Sequence, residues 1–170
     1  LKFLVQVRSL VAGLTGALGK LAIVLMMLHI GADLVLRLLL GSAPEGMPET
    51  VARVYMVACV FLPMALVQHQ GRQIEVTYFV ESMPGWLAAI ANIFSNLVTG
   101  ATAALLAWLC WGVAIEATQL GERVDLLNSS IPVWPTRWAM FAGFVALFFV
   151  ALMDCLVGLA AAASPANGKE

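Results

Sequence analysis

Charge is what this sequence has least of: 11% of its 170 residues are Asp, Glu, Lys or Arg, and the formal net charge is −1. A chain so balanced has no basic face to set against a row of phosphates, which excludes nucleic acid as a partner. Histidine occurs only as His29 and His69, too few and too far apart for a catalytic or metal-binding constellation. Cys59, Cys110 and Cys155 each sit inside an apolar run and form no CxxC, so they read as buried thiols rather than disulfides or zinc ligands. Walker, GxGxxG, HExxH and GxSxG patterns are absent. So are the paired Gly/Pro-broken spans, in repeated halves, of a transporter with its own substrate site. No catalytic residue, cofactor site or metal site is expected.

Apolar residues are what the sequence has instead: 62% of it is hydrophobic, with a mean hydropathy of +0.94. A membrane crossing needs about 20 mostly apolar residues in helix, and four runs meet that demand. They are residues 21–40, 50–68, 86–115 and 138–159. Backbone amides find no water in lipid, so each run is helical. Pro63 places a kink in the second, and the third is long enough to tilt. The expected fold class is an all-α integral membrane protein, one domain over residues 1–170, with four transmembrane helices running up and down.

Two further stretches are amphipathic. In residues 1–20, Leu4, Val7, Val11, Leu14 and Leu18 share one helical stripe, with Lys2, Gln6 and Ser9 off it. The expectation is an interfacial helix that ends near Lys20 and leads into the first span. A cleavable leader is the competing reading, and the opening Leu1 is compatible with residues removed ahead of it. Between spans two and three, "HQGRQIEVTYFVESMPG" places Val76, Phe79, Val80 and Met83 at i, i+3, i+4 and i+7, the face of a helix. Residues 72–83 are therefore expected as an amphipathic helix at the membrane interface.

With the N-terminus inside, Lys2, Arg8, Lys20, Arg72 and Lys169 are cytoplasmic, and Arg37, Arg53, Arg123 and Arg137 are outer. The three cations ahead of the first span set this orientation, with both termini cytoplasmic. His29, Asp33 and Arg37 share one face of the first span at i, i+4 and i+8. They read either as a proton relay or as an Asp33–Arg37 ion pair beside a His29 that bonds a neighbouring helix. Glu49 and Arg53 repeat the i, i+4 spacing. Asn92, Ser95, Asn96 and Thr99 form a small, polar face on the third span, suited to helix packing. Trp86, Trp134 and Trp138 fall at span ends, where aromatic belts lie.

Taken together, "RLLLGSAPEGMPETVARVYMV", "HQGRQIEVTYFVESMPG" and "LLNSSIPVWPTRW" resemble the small membrane (Q) subunit of tripartite ATP-independent periplasmic (TRAP) transporters. Arg37, Pro44, Glu49, Arg72, Ile74, Val76, Met83, Pro84, Ile131, Pro132 and Trp134 match that family's pattern. Gln73, Thr77 and Phe141 replace its usual His, Asp and Pro, and the aromatic before Glu49 is missing. The resemblance implies a non-catalytic scaffold in the inner membrane of a bacterium. Its implied partners are membrane lipids, a large membrane subunit and a periplasmic binding protein. The large subunit carries the sodium and substrate sites and moves the substrate, often a carboxylate, by a sodium-driven elevator motion. The candidate structural or partner-contact residues, from spacing and resemblance together, are Asp33, Arg37, Glu49, Arg53, Arg72, Val76, Phe79, Val80, Met83 and Trp134. The alternative is an autonomous small channel, or an intramembrane enzyme using His29 and Asp33.

Overall fold

The structure, a computed structural model, describes residues 2–41, 46–71, 84–125 and 130–163. Helix α1 runs from Lys2 to Leu40, α2 from Met47 to His69, α3 from Gly85 to Gln119 and α4 from Trp134 to Ala163. Each contains a stretch long and apolar enough to cross a membrane. The expected helix over residues 72–83, with Arg72, Val76, Phe79, Val80 and Met83, lies outside the described residues.

The division expected at Lys20 is corrected: Lys2–Leu40 is one uninterrupted helix. An exposed lysine does not break a helix, and the sequence places no proline there. The face that packs within the chain is a different one from the apolar stripe, where, among the described residues, only Val7 and Val11 are half-buried. Leu14 and Leu18 are exposed, whereas Ala12, Gly16 and Gly19 are buried. Ala12 joins Ala65, Ala146 and Val150 in a core where α1, α2 and α4 meet. Lipid tails are as apolar as leucine, so helices in a bilayer associate where small residues let their backbones approach.

Helix α2 is irregular twice. Residues Val51–Tyr55 form a wide π turn, closed by the Met56 N–H on the Val51 carbonyl. The helix then breaks at Leu62 and Pro63 and resumes at Met64, because proline has no N–H to carry the ladder through. The flanks of this break are covered by glycines from two other helices. Gly19 of α1 lies against the Pro63 ring, and Gly143 of α4 lies against the Phe61 carbonyl.

Helix α4 packs on all three others, and its interface with α3 is the most extensive. On α3 the buried residues are Gly100, Ala103, Ala107, Ala114 and Ala117, a three-four alternation that keeps one seam turned to the neighbour. The far end of that seam is closed by a chain reversal. Gly121, at φ 60°, ends α3 with the Glu122 N–H on the Ala117 carbonyl and its own N–H on the Thr118 carbonyl. An antiparallel hairpin of β1 (Arg123–Asp125) and β2 (Ser130–Pro132) follows. The helical reading of the chain did not anticipate it.

A methyl group built on Gly143 would collide with the backbone of Phe61, which has nowhere to move, whereas one on Gly100 would meet the Ala151 Cβ at an ordinary 3.7 Å. Gly143→Ala is therefore expected to destabilise the purified protein by about 1–3 kcal/mol, the usual range for overpacking. Gly100→Ala should change little. Thermal unfolding of the two variants in the same detergent decides it, and equal midpoints would show that α2 and α4 are not clamped at this point.

Candidate functional site

The polar side chains that the spans enclose gather at the two ends of the bundle. At the end where α1 begins and α4 closes, Arg8 forms an ion pair with Asp154. The two side chains retain 22% and 15% of their accessible surface. One turn of packing away, the Gln68 amide donates to Asn96 Oδ1 at 2.8 Å, and Asn96 Nδ2 donates to the Asn92 carbonyl at 3.0 Å. Asp154, Asn92 and Asn96 line a cleft of about 490 Å³ between α3 and α4. Arg8 Nε and Gln68 Oε1 are buried without a hydrogen-bond partner among the described residues.

None of these pairs was legible beforehand. Asp154 is the single charged residue in the fourth span, and a lone charge in an apolar helix demands a partner. That signal was available. Its answer, 146 positions away, was not.

At the hairpin end, the Arg137 guanidinium forks onto Glu122, with Nε and Nη2 donating to the two carboxylate oxygens at 3.1 and 2.8 Å. That hydrogen-bonded contact holds the Glu122 carboxyl below the usual carboxylate range, and the charges of Arg137 and Arg53 add to it. Arg53 and Arg137 line one small cleft with Val133 and Thr136. The Trp138 indole donates to Thr118 at 2.9 Å and joins Trp111 and Phe141 in an aromatic cluster with centroids 5.2–6.0 Å apart. Trp134 opens α4, partly exposed, with its N–H on the Glu122 carbonyl.

The candidates picked out by spacing fall into separate places. Arg37 Nε donates to Asp33 Oδ2 at 2.8 Å, and half of the Arg37 side chain is exposed. The Tyr55 hydroxyl lies 3.1 Å from His29 Nδ1, with the rings edge to face. Among the described residues, Glu49 and Arg53 form no ion pair. The wide turn beginning at Val51 changes the angular step between them, and Arg53 instead lines the small cleft beside Arg137. No hydrogen bond or ion pair among the described residues joins the Asp33–Arg37 set to the Arg53–Glu122–Arg137 set. Within this chain Asn92, Ser95, Asn96 and Thr99 do not meet one neighbour: Asn96 turns to α2, while Asn92 and Ser95 are exposed. Among the described residues there is also no group of three His, Cys, Asp or Glu side chains placed to hold a metal ion.

The family model described as "Tripartite ATP-independent periplasmic transporters, DctQ component" matches residues 26–161. No curated protein and no solved structure matches the chain.

Removing one member of a largely buried ion pair strands the other, at up to about 3–5 kcal/mol. Arg8→Gln or Asp154→Asn alone should therefore lower the yield of monodisperse protein and its unfolding temperature, and the double variant should recover part of both. Silent single variants would mean that water, not Asp154, satisfies Arg8.

For Glu122 the folded value lies below the unfolded one, so its contribution to stability is complete above the ordinary carboxylate range. It is lost as pH falls through the depressed folded value. Arg137→Gln removes that contribution, so the hairpin end should be looser already at neutral pH and its dependence on acid weaker. An unchanged acid transition, followed by amide exchange at residues 122–133, would show that the contact is not formed.

Proposed function

The chain belongs to the DctQ family of tripartite ATP-independent periplasmic transporter components, and from that premise we propose that it is the non-catalytic scaffold subunit of a sodium-driven importer. The cargo is a small organic molecule, a carboxylate in this reading, brought by a periplasmic binding protein to a large membrane subunit. The observation that carries the proposal is the family match over residues 26–161, which makes the protein a multi-pass membrane component of such a transporter.

The packing supports a stationary role. Glycines from α1 and α4 flank the break in α2, and side-chain bonds tie α1 to α4, α2 to α3 and α3 to α4. A frame interlocked in this way suits a part against which another part moves. What stays uncovered suits a membrane component. Leu38 in α1 and Trp108 in α3 each keep 77% of their accessible surface, amid long runs of exposed leucine, isoleucine and phenylalanine. In this reading the membrane is the inner membrane of a bacterium, with both termini in the cytoplasm. The Arg8–Asp154 end then faces the cytoplasm. The hairpin, with Arg53, Glu122 and Arg137, faces the periplasm and the binding protein. Asp33, Arg37, Glu49 and Trp134 lie on or near that outer side as contact candidates, and Arg72 with the Val76–Met83 stripe serves as the inner one.

Reconstituted alone in vesicles, the chain should show no substrate uptake. Uptake should return when the large subunit and the binding protein are added under an inward sodium gradient. Substrate-dependent flux through the isolated chain would end the scaffold reading, and uptake indifferent to sodium would end the coupling.

A further inference from the structure

At the hairpin end of the bundle two clefts share one side chain. The first, of about 160 Å³, lies between Arg53 and Val57 of α2 and Thr136 and Arg137 of α4. The second, of about 260 Å³, lies between α3 and α4, with Leu109, Cys110, Val113 and Met140 in its wall beside the same Arg137. Arg137 thus stands where a cationic recess meets an apolar one.

The first cleft is built for an oxyanion. Both charged residues in its wall are cations, and neither Glu49 nor Glu122 is part of it. Glu122 takes Nε and Nη2 of Arg137, which leaves Nη1 for a second acceptor. Among the described residues Arg53 forms no ion pair. Two guanidiniums converging on one recess match the geometry of a phosphate or a carboxylate.

The second cleft says which anion. Leu109, Cys110 and Val113 lie about 9–15 Å short of the α3 end at Gln119, at 1.5 Å per residue. The apolar cleft therefore runs from Arg137 inward, toward the middle of the bilayer. Trp134 and Trp138 flank Arg137 in the first turns of α4, and tryptophan collects at the level of the lipid head groups. Cations at head-group level above a trough at acyl-chain depth are complementary to a phospholipid, and basic pockets between membrane helices take anionic head groups.

We infer that this end of the bundle holds one anionic glycerophospholipid, with its phosphate on Arg53 and Arg137 and part of one acyl chain beside Val113 and Met140. A free phosphate or carboxylate would use the first cleft and leave the second unused, and so would an acidic side chain of a protein. A zwitterionic head group would bring its ammonium up to two guanidiniums. The inference goes beyond the scaffold reading and needs only that the chain is a membrane protein, so its failure leaves that reading standing.

The test uses the full chain purified in detergent, with phosphatidylglycerol as the probe, read by native mass spectrometry and by thermal unfolding. One phosphatidylglycerol should stay bound and raise the unfolding midpoint. Phosphatidylcholine with the same chains should bind about tenfold more weakly, and glycerophosphoglycerol, the head group without chains, should do nothing at the same concentration. Arg53→Gln should cut lipid occupancy about tenfold. Arg53 is exposed, so the lipid-free variant should unfold as the unmodified chain does. Arg123→Gln removes a hairpin cation outside both clefts and should change nothing. Val113→Trp fills the apolar cleft without touching either cation and should also lower occupancy, which keeps the question decidable if Arg53→Gln fails to fold. Equal binding of the two lipids, or full occupancy in Arg53→Gln or in Val113→Trp, would overturn the assignment. Stabilisation by glycerophosphoglycerol as strong as by the lipid would overturn it too, leaving a site for free anions.

Discussion

Apolar side chains gain nothing by leaving lipid for one another, so helices in a bilayer are held by how closely their backbones can approach. In this chain that requirement converges on Pro63. The proline interrupts the hydrogen-bond ladder of α2, and irregular backbone at membrane depth is stable only where protein surrounds it. Gly19 on the proline ring and Gly143 on the Phe61 carbonyl provide that cover from two directions. The same contacts bring α1 and α4 into register with α2, so that Ala12, Ala65, Ala146 and Val150 meet as a core. A larger side chain at Gly143 would separate the helices at the place where α2 has least backbone bonding of its own.

Polar contacts then fix the ends. Arg8–Asp154 joins the first and last helices, and Gln68–Asn96 joins the second and third. At the other end, Glu122–Arg137 and the hairpin join the third and fourth. Helix α1 is held less evenly. Its first half carries Arg8, Ala12, Gly16 and Gly19, all engaged with neighbours. Beyond Ala22 the large side chains are mostly exposed. His29 with Tyr55 is the side-chain hydrogen bond to α2 in that half among the described residues, and Asp33 spends its contact on Arg37 of its own helix.

Four helices were legible because span length and composition are crude, long-range signals that survive any detail of packing. The packed faces were harder to read. The stripe of Leu4, Val7, Val11, Leu14 and Leu18 was read as a surface for the membrane interface, and hydropathy alone does not say which residues meet the other helices. In lipid the inward positions belong to Ala12, Gly16 and Gly19, which a hydropathy pattern ignores. Lys20 looked like a boundary because charge often marks one, yet a charge on an exposed helix surface leaves the backbone unbroken. The Glu49–Arg53 spacing assumed an α-helix, and the wide turn at Val51–Tyr55 displaced it. Arg8 and Asp154 could each be suspected of needing a partner, but a separation of 146 residues carries no periodicity from which to infer the match. The hairpin strands, three residues each, are too short to show alternation.

The distribution of contacts bears on how a subunit of this kind can be both rigid and adherent. Helix α4 meets all three others, so its buried face, with Phe144, Leu147, Val150 and Ala151, is committed within the chain. Commitment at the centre leaves the periphery to carry any association. Among the described residues the outward surface includes the far half of α1 and the outer faces of α3, and the two differ in kind. The α1 surface is almost wholly large and aliphatic, interchangeable with lipid, so contact there can slide or be replaced at little free-energy difference. The α3 surface mixes such residues with the hydroxyls of Ser95 and Thr102 and the Asn92 amide. Polar groups of that kind favour a wetter or more polar neighbour than lipid tails, so the perimeter of the chain is not uniform toward its surroundings although its centre is closed.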